Sequence, residues 1–160
     1  MSSAKLKDKY HLVLGSLILL LIVLVVILSM GYSASRSACG DYRTDKVVKT
    51  GNQRIDAEVA YTPTQMQEGL GGRQCIASDQ GMLFEFSQPG RYDFWMKDMR
   101  FSIDMVWINS AKQVVYIQPD VSPATYPQTF VSVRPAQYVL ELKASRAAQL
   151  GLHNGSRLNF

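Results

Sequence analysis

The stretch Gln53-Arg-Ile-Asp-Ala-Glu-Val-Ala-Tyr-Thr-Pro-Thr-Gln65, QRIDAEVAYTPTQ, changes its period half-way along. It begins as a strand. Ile55, Ala57 and Val59 fall on one side of a two-residue repeat, and Arg54, Asp56 and Glu58 fall on the other, which is the pattern of a half-buried strand. It ends as a helix start. Thr62 can cap, Pro63 suits the first helical position, and Gln65 can reach back to close a capping box. Gly69, Gly71 and Gly72 then end that helix within about two turns.

Outward from this point strands dominate. On the N-terminal side, Lys46–Thr50 with Gly51-Asn52 reads as a hairpin partner. On the C-terminal side, strands are expected at 81–86, 92–96, 103–108, 113–118 and 137–142. Four prolines between Pro119 and Pro135 make that segment an extended loop with one short edge strand at 129–133. Ser145 is placed to cap a second short helix, 146–150, closed by Gly151, and a last strand follows at 157–160. Short turns join most neighbours. The expected fold is therefore mostly β (α+β), a curved antiparallel sheet or small barrel with two short helices.

A different texture precedes it. Leu12 to Met30, LVLGSLILLLIVLVVILSM, is 19 residues without a charge or a proline. A helix of that length spans about 28 Å, close to a bilayer core. Lys5, Lys7 and Lys9 precede it against a single Asp8, so the N-terminus is expected on the cytoplasmic side. The competing reading is a cleaved signal peptide cut near Ser33-Ala34-Ser35, but the apolar run exceeds the usual length of such segments. A lipoprotein, with Cys39 after Ser37-Ala38, meets Arg36 where an aliphatic residue belongs. The expected organisation is a cytoplasmic tail over 1–11, a transmembrane signal anchor over 12–30, a linker over 31–50 and a β-rich extracytoplasmic domain over 51–160.

Charge and motifs exclude several functions. The net charge is +4, and residues 31–160 carry 14 basic against 12 acidic side chains. That balance lacks the basic stripe of a nucleic-acid binder. There is no phosphate loop, no Gly-x-Ser-x-Gly elbow and no His-Glu-x-x-His. No cofactor or metal is expected. The two cysteines, Cys39 and Cys75, fall in the exported part and allow one disulfide.

Several motifs in order carry a resemblance: Ala57 to Arg73, Gly81-Met-Leu-Phe-Glu-Phe86, Phe94-Trp-Met-Lys-Asp-Met99, Ile103-Asp-Met-Val-Trp-Ile108 and Tyr138-Val-Leu-Glu-Leu142, with Leu150-Gly-Leu152 and Gly155. Together they resemble the family called domain of unknown function 192, over about residues 53–160. The resemblance implies a compact, mostly β domain, often exported or membrane-anchored, and brings no activity, cofactor or catalytic residue. Two positions depart from the family pattern: Ser145, near which Gly is common, and Ser156, where Asp is common.

Charged residues inside apolar strands mark the candidate site. Asp104 shares a strand face with Val106 and Ile108, while Ile103, Met105 and Trp107 line the other face. A carboxylate there needs partners. It is either a buried acceptor of backbone N–H groups or of one Arg, or an anchor at a pocket floor. Arg73, Lys97 and Arg100 are its candidate partners, and Arg73 could equally hold Asp98 or a ligand carboxylate. Lys97-Asp98-Met99-Arg100 ends a strand, as a solvated turn or as the lip of a pocket walled by Met82, Trp95, Met96, Met99 and Trp107. The candidate ligand-binding residues are Arg73, Trp95, Asp98, Arg100 and Asp104. The expected function is a membrane-anchored module that binds a small ligand or an envelope protein. An envelope hydrolase with paired carboxylates and a structural module without a ligand site are the alternatives.

Overall fold

The computed structural model describes residues 3–37 and 39–160, with side-chain surroundings for residues 11, 13–29 and 39–160. The chain divides into two units, residues 1–38 and 39–160.

The first unit is one helix, α1 (Ser3–Ser37). Its side chains from Val13 to Leu28 include an unbroken series of exposed Leu, Ile and Val from Leu17 onward. Among the described residues no helix is long and apolar enough to cross a membrane. Leu12 and Met30, the two ends of the uncharged run, lie outside the described side chains.

The second unit is built on a six-stranded sheet in the order β1-β2-β3-β8-β5-β6. The strands are β1 (Lys46–Thr50), β2 (Gln53–Ala60), β3 (Gln80–Gly90), β5 (Ile103–Ile108), β6 (Val114–Val121) and β8 (Ala136–Lys143). A separate two-stranded sheet joins β4 (Phe94–Trp95) to β7 (Thr129–Phe130). The sheet is mixed, which corrects the antiparallel expectation. β2 and β3 run parallel, with Glu58 opposite Met82. Residues 61–79 separate them, and a parallel pair needs a crossover of that length. The crossover holds α2 (Pro63–Glu68), whose N-terminus is the capping box anticipated from Thr62 and Gln65.

Both faces of the sheet are covered. On the first lie Met82, Phe84, Met105, Trp107 and Val139, beneath Leu70, Ile76, Phe94 and Met96. On the second lie Leu83, Val106, Ile108, Leu140 and Leu142, beneath Ala147, Leu152 and Leu158. β2 is consequently buried on both sides from Ile55 onward, not half-buried. Its polar residues are accommodated by ion pairs, Arg54 with Asp56 and Arg73 with Glu58.

Several expected elements shift. The strand over 92–96 reduces to β4. The last strand, 157–160, makes only isolated bridges, but these link both edges of the sheet: Arg157 pairs with Gln113, and Asn159 pairs with Lys49. Lys46–Thr50, counted within the linker but also expected as a hairpin partner, does form β1 and pairs antiparallel with β2, and Tyr42 packs against the first core. The second short helix is α3 (Arg146–Gln149). Ser145 does not cap it with its side chain; it adopts a left-handed backbone with φ 65°, the region that glycine favours.

Candidate functional site

Strand register sets two carboxylates into one lateral row. Across the first face, Glu58 of β2 stands beside Met82 of β3, Met82 beside Glu141 of β8, and Glu141 beside Met105 of β5. Two strand spacings separate the backbones of Glu58 and Glu141 by roughly 10 Å. Both acids are buried, yet their environments differ. Arg73 holds Glu58 in a fork, Nη1 to Oε1 at 3.0 Å and Nη2 to Oε2 at 2.7 Å. The Arg43 backbone N–H adds a third bond at 3.0 Å. Burial pushes the Glu58 carboxyl up, but the Arg73 hydrogen bonds and the neighbouring charges bring it below its ordinary value.

Glu141 has no such clamp. It is 4 % exposed, and its Oε2 is buried without a hydrogen-bond partner. Burial raises its carboxyl to about 8, against a smaller downward pull from the Arg73 charge. Near neutral pH this group is therefore largely a neutral acid.

Above Glu141 lies a cavity of about 320 Å³. That volume is at the small end of ligand sites. Its walls are aromatic: Phe84, Phe86, Tyr92, Phe94 and Trp95. Phe86 and Tyr92 stack with ring centroids 3.5 Å apart, and Phe84 meets Phe94 edge-on at 4.8 Å. Two glycines shape the space. At Gly69 a Cβ would stand 3.3 Å from the Phe84 ring and 3.8 Å from Glu141 Oε2, and its φ of 51° disfavours any side chain. At Gly90 a Cβ would strike the Tyr92 ring at 2.9 Å. Tyr92 is thereby free to lie back over the end of β3, where its hydroxyl donates to the Gln88 carbonyl at 2.6 Å.

The candidate residues from the sequence separate into three places. Trp95 lines the cavity over Glu141 and is 43 % exposed. Arg73, Asp98 and Arg100 line an adjoining groove that shares Gln67, Glu68, Gly69, Lys97 and Met99 with that cavity. Asp98 sits in a left-handed turn at φ 57°, and its carbonyl accepts the Gly72 N–H at 2.8 Å. Asp104 is elsewhere, on the second face. Its carboxylate accepts three backbone N–H groups, from Asp120 at 2.9 Å, Ser145 at 3.1 Å and Ala147 at 2.7 Å. It thus caps α3 in place of Ser145. Cys39 and Cys75 are joined by a disulfide, which leaves no thiol at Cys39 for a lipid.

Residues 46–160 match the family model DUF192, described as an uncharacterised ACR. The chain belongs to the DUF192 family. Its fold is similar to two solved structures. One is a proposed transcription regulator from Sinorhizobium meliloti 1021, 31% identical, with a TM-score of 0.68 over 75% of this chain and 97% of that one. The other is a protein of unknown function from Novosphingobium aromaticivorans DSM 12444, 25% identical, with a TM-score of 0.67 over 71% of this chain and 83% of that one. No curated protein matches the sequence.

Within this DUF192 domain the residue that sequence reasoning passed over is Glu141. The available signal was the one that singled out Asp104. Val139-Leu-Glu-Leu142 is apolar at both parities except for one carboxylate, which a buried strand does not accept without cause.

Proposed function

We propose that this DUF192 protein is a membrane-anchored, extracytoplasmic binding module whose small ligand seats in the cavity over Glu141. The observation that carries the binding site is the partnerless Oε2 of a buried carboxyl at the floor of an aromatic cavity. Burying such an atom costs free energy that folding alone does not recover, whereas a ligand donor placed against it would. A partner protein is the less suited occupant, because the cavity has the volume of a small molecule.

Anchoring is supported by the sequence, through the uncharged run from Leu12 to Met30 and the three lysines ahead of it. The Cys39–Cys75 disulfide favours an oxidising compartment for the domain. A hydrolase that pairs Asp98 with Asp104 draws no support from the geometry, since these acids line separate cavities with no residue in common.

Two experiments test the reading. The full chain should pellet with membranes and resist carbonate extraction, with its domain open to protease from the outer side only; recovery as a soluble protein rejects the anchor. A fragment screen on the full chain in lipid nanodiscs should perturb amides around Phe86, Trp95 and Glu141. A cavity that no fragment perturbs rejects the ligand site.

A further inference from the structure

The cavity over Glu141 has a charge character that narrows its ligand. Glu68, Asp93 and Glu141 line it against one basic residue, Lys97. Arg73, whose charge acts on Glu141, is committed to Glu58. Five aromatic residues, Phe84, Phe86, Tyr92, Phe94 and Trp95, line the same cavity, and rings attract cations through their quadrupole. In its ionised form the partnerless Oε2 asks for a hydrogen-bond donor, and an N–H borne by a cation supplies both the donor and the charge. A carboxylate or phosphate ligand would instead meet the carboxylates of Glu68 and Asp93 at the cavity wall.

Resting on the binding-site reading above, we propose that the ligand is a primary ammonium on a short apolar or aromatic stem, its nitrogen donating to Glu141 beside the ring of Phe84. The stem occupies the space along Phe86, Tyr92 and Trp95, and Gly69 leaves room for the ammonium beside the carboxylate.

The proposal sets a pH dependence. Without ligand, burial holds Glu141 protonated up to about 8. A cation binds the ionised form, so below that pH binding releases a proton and affinity rises with pH. The groups that face Glu141 are Glu68 from α2, Asp93 and Lys97 from the segment that carries β4, and the Glu58–Arg73 pair from β2 and its crossover. Its neighbours on β3 and β5 are Met82 and Met105, which do not titrate. Burial opposes ionisation of Glu141, and the charge of Arg73 favours it.

The test uses two probes of nearly equal shape, 2-phenylethylammonium and 2-phenylethanol, titrated calorimetrically into the full chain in nanodiscs. The ammonium should bind at least tenfold tighter, with affinity rising from pH 6 to pH 8 and a proton released, read from the heats in two buffers of different ionisation enthalpy. Glu141→Gln keeps the shape of the neutral acid, and in it the preference should collapse to near unity. If that variant fails to fold, the proton release by the unaltered protein decides alone. Equal binding of both probes, with no proton release, overturns the ammonium and leaves the cavity as a site for neutral ligands. Absence of binding by either probe overturns the ammonium and counts against the cavity as a ligand site as well.

Discussion

Arg73 engages both oxygens of Glu58 and touches neither Asp98 nor Asp104 with a hydrogen bond or ion pair. That choice decides which acid of the lateral row is satisfied and which is open. Removing the guanidinium would leave a buried carboxylate with only the Arg43 contacts. Arg73→Ala should therefore destabilise the domain by about 2–3 kcal/mol. In the double variant with Glu58→Gln most of that loss should be recovered, as measured by denaturant unfolding. The pair also sets a pH limit. Glu58 titrates below its ordinary value of 4.5 when folded, so its stabilisation is complete above pH 4.5 and is lost as pH falls through the depressed folded value. The Arg73→Ala variant should lack this part of the acid transition.

Asp104 gives a second prediction, of opposite meaning for function. It is fully buried and takes N–H groups from the end of β6 and from the start of α3. Asparagine offers one acceptor oxygen and sets an NH2 against the remaining donors. Asp104→Asn should cost about 1.5–3 kcal/mol and speed hydrogen exchange at the Ala147 amide. Because Asp104 lies on the second face, ligand binding over Glu141 should be unchanged at temperatures where the variant is folded. A loss of binding in the folded variant contradicts the separation of the two faces.

What was legible in the sequence follows from how local each signal is. The capping box at Thr62 and Gln65 needs only four adjacent residues, and it forms as read. The face assignment along Ile103–Ile108 needs only the period of a strand, and Met105 and Trp107 do enter one core while Val106 and Ile108 enter the other. The parallel pairing of β2 with β3 depends on where the chain returns after residues 61–79, which no local pattern encodes. The same limit applies to the site. Asp104 and Glu141 look alike in sequence, each a lone acid in an apolar strand. Only the tertiary arrangement brings three N–H donors to one and an aromatic cavity to the other.

The disulfide carries a third prediction. Cys39 and Cys75 are 36 residues apart in sequence, and closing a loop of that size restricts the unfolded chain. Replacing both by serine should lower stability by about 3–4 kcal/mol. None of the paired strand positions includes either cysteine, so the sheet itself should persist. Far-ultraviolet circular dichroism of the double variant should keep its β signature, with the denaturant midpoint shifted to lower concentration. An unchanged midpoint in the double variant would show that the link does not constrain the domain.

Glu141 allows the sharpest measurement, because its titration runs against that of Glu58. Its folded value of about 8 lies above the ordinary 4.5, so between those limits the folded state binds more protons than the unfolded one. Stability must then fall as pH rises from about 4.5 to about 8 and level off beyond. At its steepest the decline from one such group approaches about 1.4 kcal/mol per pH unit. Below pH 4.5 the group is protonated in both states and contributes no slope. Glu141→Gln abolishes this titration, so unfolding free energies of the variant and the parent should diverge steadily from pH 5 to pH 8, the variant becoming the more stable. The divergence is read by urea unfolding at half-unit pH steps, taking the difference between the two proteins so that every other titrating group cancels. Parallel stability curves across that range would mean that Glu141 is already ionised at neutral pH, and the neutral acid at the cavity floor would have to be abandoned.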